Sequence, residues 1–129
     1  MELRMYKMLE KAEIPFEYIG KENAKYELMR PFVYEGGCFE RAQKRSKQMR
    51  DNNNVNGIGY TPDFVAPDES WFIEVKGRKL GDFSIRWKLF KQVLSERDPQ
   101  PLLFMPTNIQ DCEQVINILK SEINAKREN

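Results

Sequence analysis

The sequence predicts an α/β sandwich built on a mixed central sheet, and three observations carry that expectation. Apolar residues recur at helical spacing in three separate places: near the start, after position 82 and near the end. Between them lie short apolar or alternating runs bounded by Pro, Gly and Asn, as strands are. The order is therefore helix, strands, helix, strand, helix. With 129 residues, 40% hydrophobic and 12% aromatic, the chain fits a single domain, 1–129, around one packed core.

Met1, Met5, Met8, Leu9 and Ala12 share one face of a helix over 1–13, with Arg4, Lys7, Glu10 and Lys11 on the others, and Pro15 stops it. Residues 16–19 and 26–34 read as strands, the second closed by Glu35-Gly36-Gly37. The polar run 40–56, ending near Asn52-Asn53-Asn54, has no apolar period and is expected to be an exposed insertion between strands, with room for a short helical piece. Residues 60–66 and 71–76 form a β-hairpin across the turn Pro67-Asp68-Glu69-Ser70. Asp82 is placed as the N-cap of a helix carrying Phe83, Trp87, Phe90 and Leu94 on one face, with Pro99 just past its end. Residues 102–105 read as a buried strand, and Cys112, Val115, Ile116, Leu119 and Ile123 mark the last helix. Trp71, Trp87 and the methionines are expected in the core.

Composition excludes several kinds of chemistry. The chain has no histidine, which removes Ser/His/Asp and Cys/His triads, the usual zinc sites and any histidine base. Its two cysteines, Cys38 and Cys112, are too few and too far apart for a disulfide framework, and they read as ordinary, partly buried thiols. Hydrolytic chemistry would have to come from carboxylates, lysine and a hard cation such as Mg²⁺ or Mn²⁺. The start lacks the apolar stretch of a signal peptide or membrane span, so a soluble cytoplasmic protein is expected. Net charge is only +1, yet residues 41–50 hold five bases, Arg41, Lys44, Arg45, Lys47 and Arg50, and no acid. Beside a site for phosphate chemistry, that run would follow a phosphate backbone.

On the hairpin, Glu74 and Lys76 are two residues apart, so both leave one face while Ile73 and Val75 leave the other. Asp63 lies on the partner strand, where a short turn brings its carboxylate toward Glu74. Two facing acids repel, and a bound divalent ion resolves the conflict. Asp63, Glu74 and the backbone carbonyl of Val75 are then its oxygen ligands, and the metal lowers the pKa of its bound water for in-line attack on phosphorus. Lys76 orients that water and offsets charge on the phosphate oxygens. Gly77 lets the backbone leave the strand where DNA approaches.

Pro62-Asp63 and Glu74-Val75-Lys76, set in Tyr-Thr-Pro-Asp-Phe and Phe-Ile-Glu-Val-Lys-Gly, resemble the PD-(D/E)xK nuclease superfamily, and more closely the small phage nucleases of the endonuclease I Holliday-junction resolvase type. The likeness covers about positions 2 to 105 in element order. It implies a restriction-endonuclease-like core, cleavage of branched DNA in recombination, and a homodimer making two symmetric cuts. It also implies a further catalytic glutamate on the first helix, which falls on Glu2, with Glu10 and Glu13 in reserve. Arg78, together with Arg86 and Lys88 on the helix after the motif, joins the basic run as the implied DNA contacts. Two other readings stand beside this one: a nicking or linear-duplex nuclease serving recombination, repair or packaging, and a DNA-binding or assembly protein with an inactive site.

Overall fold

The computed structural model of the chain describes residues 1–19, 26–41, 47–77 and 81–128. Along these run α1 (Glu2–Lys11), β1 (Glu17–Tyr18), β2 (Tyr26–Met29), β3 (Phe32–Val33), β4 (Phe39–Glu40), β5 (Arg50–Asp51), β6 (Asn54–Val55), β7 (Ile58–Tyr60), β8 (Phe64–Val65), β9 (Trp71–Ile73), α2 (Phe83–Leu94), β10 (Leu102–Phe104) and α3 (Ile109–Glu128).

The turn expected at 67–70 organises the central sheet. Ala66 accepts from the Glu69 N–H at 2.9 Å and donates to the Trp71 carbonyl at 3.0 Å, with Glu69 in the left-handed region at φ 59°. This closes the predicted hairpin and sets its register, Val65 opposite Phe72 and Phe64 opposite Ile73. β1 adds antiparallel to β8, and β10 adds parallel to β9, giving a mixed sheet in the order β1-β8-β9-β10. Alternation along the strands splits the core in two. Phe64, Trp71 and Ile73 pack with Met5, Leu9 and Ile14 beside α1 and with Cys112, Val115, Ile116 and Leu119 of α3. Val65 and Phe72 pack with Phe83, Trp87, Phe90 and Leu94 of α2. The protein is thus α/β, with a mixed sheet and three helices among the described residues. No helix there is long and apolar enough to cross a membrane.

Several boundaries differ from the sequence reading, each for a local reason. α1 ends before Pro15: Glu13 adopts φ 58°, its N–H donates to the Glu10 carbonyl at 3.0 Å, and the Ile14 N–H donates to Leu9 at 3.1 Å. This is the Schellman arrangement, with Ile14 buried beside Leu9 as its apolar contact. Asp82 stands at the start of α2 without capping it, because its carboxylate pairs with Arg86 instead. α3 begins at Ile109, where Asn108 Oδ1 accepts the Asp111 N–H at 2.8 Å and so satisfies one of the first orphan donors. Cys38 and Cys112 are free thiols, as expected.

The largest difference lies between positions 26 and 60. Residues 26–34 are not one strand, because Pro31 has no N–H to give a ladder and separates β2 from β3. Residues 60–66 divide likewise at Pro62 into β7 and β8. The run 40–56 is not merely a loop inserted between strands. β2 pairs with β7, β3 with β6 and β4 with β5, all antiparallel, so the chain runs out and back as a two-stranded ribbon. Its base, β2 and β7, packs against α2, and Gly57 permits a close approach: a Cβ there would meet the Met29 carbonyl oxygen at 2.7 Å. The strands farther out are exposed, including Phe32, Val33 and Phe39.

Phe64 is fully buried and lies within ring-contact distance of Tyr6, Phe16 and Tyr18. Phe64→Ala should destabilise the protein by about 3–5 kcal/mol. Urea unfolding measures this, and a loss below about 1 kcal/mol would mean that β8 is not the centre of the sheet.

Candidate active site

The last cross-strand pair of the hairpin is Phe64 with Ile73, so the next positions on each strand, Asp63 and Glu74, face each other. Both are buried, Asp63 at 0% and Glu74 at 2% exposure. Their backbones are held from both sides. Ile19 beside β1 donates its N–H to the Asp63 carbonyl at 3.1 Å, while Glu74 and Lys76 donate theirs to Phe104 and Pro106 at 2.9 and 3.0 Å, carrying the β9–β10 ladder past the formal end of β9. The Asp63 carboxylate is fixed as well, since its Oδ2 accepts the Val75 N–H at 2.8 Å. Two carboxylates removed from water at one point are costly unless positive charge or donors surround them.

Glu74 lies on the α2 side of the sheet, as the alternation from Phe72 requires, and Lys76 follows on that same side. The Lys76 ammonium sits 4.5 Å from the centroid of the Phe83 ring at the start of α2, a cation–π contact that anchors the side chain near the acids' end of the sheet. Tyr60 completes the wall. It is buried, and its hydroxyl faces the carboxylates: burial, and then the negative charge of Glu74 and Asp63, hold its phenol far above the ordinary range. Tyr60 was not among the residues expected from the sequence. It precedes the Thr-Pro-Asp turn, and nothing in its spacing says that β7 leaves for the ribbon there and turns the ring back onto the site.

Asp63, Glu74, Val75 and Lys76 are therefore brought together. Glu2, on the first turn of α1, instead accepts a hydrogen bond from the Tyr18 hydroxyl at 2.8 Å, and Tyr18 is paired with Phe64, next to Asp63. Among the described residues, no three His, Cys, Asp or Glu side chains gather into a metal-binding group. Glu10 and Glu13 are exposed at the opposite end of α1. Of the bases, Arg41, Lys47 and Arg50 are exposed at the outer end of the ribbon, whereas Lys44, Arg45 and Arg78 lie outside the described residues. Lys88 is exposed on α2. Arg86 has a structural engagement: its Nε meets Asp82 and its other guanidinium nitrogen donates to the Gly59 carbonyl, both at 3.1 Å, which ties α2 to the base of the ribbon. No family model, curated protein or solved structure matches this chain.

Tyr26 is held above the ordinary phenol range too, by burial and by its hydrogen bond to Glu69. A phenol whose folded pKa is raised stabilises the fold fully below its unfolded value, near pH 10, and that contribution is lost as pH rises through the folded value. Of the five tyrosines, Tyr26 and Tyr60 should therefore stay un-ionised at about pH 11 until the protein melts, and melting temperature should fall less steeply above pH 10 in Tyr60→Phe. Ultraviolet phenolate titration checks this. Ionisation of all five near pH 10 in a still-folded protein would contradict the burial of these two rings.

Proposed function

We propose that this chain is a metal-dependent endodeoxyribonuclease of the PD-(D/E)xK kind, with a restriction-endonuclease-like core, that hydrolyses DNA phosphodiesters at Asp63, Glu74 and Lys76. The observation that carries the reading is the opposition of two buried carboxylates at the ends of paired strands, with a lysine two residues beyond one of them on the same face. A sheet selected only for stability gains nothing from this arrangement, because replacing a buried charged group by apolar side chains of similar volume is often neutral or stabilising.

The donor set suits a hard divalent cation. Asp63, Glu74 and the Val75 carbonyl are all oxygens, the ligands Mg²⁺ and Mn²⁺ prefer. A cation held there supplies Lewis-acid polarisation and a water made nucleophilic near neutral pH. The protein's own groups supply the rest. The Val75 N–H fixes the rotation of the Asp63 carboxylate. The Tyr60 phenol, kept neutral by burial and by the charge of Glu74 and Asp63, closes the wall beside Glu74 with a hydroxyl that has no hydrogen-bond partner among the described residues, and acts as a positioning residue by limiting where that carboxylate can sit. Lys76 offsets the negative charge that grows on the phosphate oxygens and would orient the attacking water and favour its deprotonated form, with Phe83 limiting where its ammonium can go. Glu2 is the third acid of this reading, one strand away through Tyr18. Branched DNA as substrate and a homodimeric assembly follow from the resemblance to phage resolvases, and the same residues would serve a nicking enzyme.

The test compares initial cleavage rates on labelled four-way junction, flap, single-stranded and linear DNA, with and without Mg²⁺ or Mn²⁺. Asp63→Asn should abolish cleavage, leave melting temperature in chelator unchanged or higher, and reduce the stabilisation by Mg²⁺, which for the parent reaches about 2.7 kcal/mol at a hundred times Kd. Lys76→Ala should keep metal stabilisation while turnover falls by a factor on the order of a hundred. Full metal-dependent cleavage by Asp63→Asn would end the proposal, and equal parent rates on every DNA would end the junction preference alone.

A further inference from the structure

The outer end of the ribbon combines shape, charge and apolar exposure in a way the acid site does not explain. In β4 and β5, Phe39 is opposite Asp51 and Glu40 opposite Arg50, and Arg41 and Met49 are the next residues out on the two sides. Directly opposed residues share a face of an antiparallel pair, so Phe39 lies with Asp51 on one face and Arg50 with Glu40 on the other. Phe39 is 64% exposed and Met49 59%. Large apolar groups at the end of a thin arm bury nothing within the chain and are costly to leave in water. The acids of this region are occupied locally. Asp51 accepts the Cys38 N–H at 3.3 Å, and Glu40 accepts from Asn52 Nδ2 at 3.1 Å and from the Cys38 thiol at 3.3 Å. Those bonds leave both carboxylates charged, but Arg41, Lys47 and Arg50 are exposed and the five bases of residues 41–50 outnumber Glu40 and Asp51 beside them, so this end carries a net positive charge.

Resting on the nuclease reading for its substrate class, we propose that the end of this ribbon is a docking element for duplex DNA. Arg41, Lys47 and Arg50 meet the phosphates, and Phe39 with Met49 lies against the apolar parts of the base edges. A two-stranded ribbon is the width that B-DNA's major groove, about 12 Å across, admits. Charge complementarity favours a polyanion over a second copy of this chain, because a two-fold contact through the ribbon's end would set basic residues against basic residues.

The experiment measures anisotropy of a labelled duplex of about 20 base pairs, in chelator so that nothing is cut, across a salt series, using the full chain, Lys47→Gln combined with Arg50→Gln, and Phe39→Ala. All three substituted positions are exposed, so the fold should survive. Loss of two phosphate contacts should lower the slope of log K against log salt by about 1.8 and weaken binding on the order of fifty-fold at 0.1 M salt. Phe39→Ala should weaken binding by about tenfold with the slope unchanged, because an apolar contact releases no counterions. Parent-like binding by both variants overturns the proposal, as does a parent that does not bind duplex at 0.1 M salt. So does sedimentation showing that Phe39→Ala only splits a dimer while DNA binding stays intact. These outcomes separate from those of the acid site: ribbon variants that lose binding but keep Mg²⁺ stabilisation support the ribbon, and failure of Asp63 chemistry leaves a ribbon that still binds DNA.

Discussion

Two carboxylates withdrawn from water and set opposite one another form a geometry that a chain must impose against electrostatic cost. Here the imposition comes from register. The four-residue turn after Ala66 places Phe64 against Ile73, and Asp63 and Glu74 inherit the next step. A slip by one residue would exchange the faces of a whole strand, moving Phe64 or Ile73 out of the α1–α3 core while separating the acids. The apolar residues that stabilise the sheet are thus the same ones that prevent the acids from moving apart. β1 and β10 reinforce this from either side through the Ile19, Glu74 and Lys76 amides, so the site sits on paired backbone although it lies past the formal strand ends.

α2 links that site to the ribbon. Its first residue, Phe83, carries the Lys76 ammonium on its ring, and one turn later Arg86 reaches the Gly59 carbonyl on β7. Its buried face, through Trp87 and Phe90, meets Tyr60, whose hydroxyl faces the acids. A displacement of the ribbon's base would therefore be felt at Tyr60 and through α2 at Lys76. In the proposed nuclease, the same packing would let a DNA held by the ribbon's end lie at a fixed position relative to the acids.

Much of the central architecture was legible because it rests on local signals. The hairpin could be read from a Pro-Asp-Glu-Ser turn between apolar runs, the helices from their 3.6-residue period, and the shared face of Glu74 and Lys76 from strand alternation alone. The facing of Asp63 and Glu74 needed only a turn length. The ribbon was not legible, because its pairing joins segments such as 32–33 and 54–55, which carry no complementary apolar pattern and lie on either side of a basic run. Polar strands that bury no face leave their register to backbone hydrogen bonds, and sequence is silent about those. The end of α1 was misread for a different reason. Glu13 takes the left-handed position that usually calls for glycine, because the burial of Ile14 beside Leu9 outweighs the local preference. Tyr60 escaped because its role depends on where β7 departs, which is a property of the ribbon.

Twenty acids and twenty-one bases nearly cancel, yet the cancellation is global and conceals a spatial order. The buried acids sit at the end of the central sheet, while Arg41, Lys47 and Arg50 are displayed at the far end of a ribbon where Asp51 and Glu40 offset only part of the charge of residues 41–50. In the proposed nuclease, an approaching polyanion would meet the ribbon's end first, since exposed charge acts over about a Debye length of 8–10 Å. The acids, by contrast, repel phosphate unless a cation stands between them. In the proposed nuclease this division makes sense: attraction to DNA and the chemistry on it are assigned to different elements, so binding does not depend on the metal and cleavage does. A chain whose bases were spread evenly would have the same net charge and no such separation. Net charge therefore says little about this chain's partners, and the place of each charge in the fold says more.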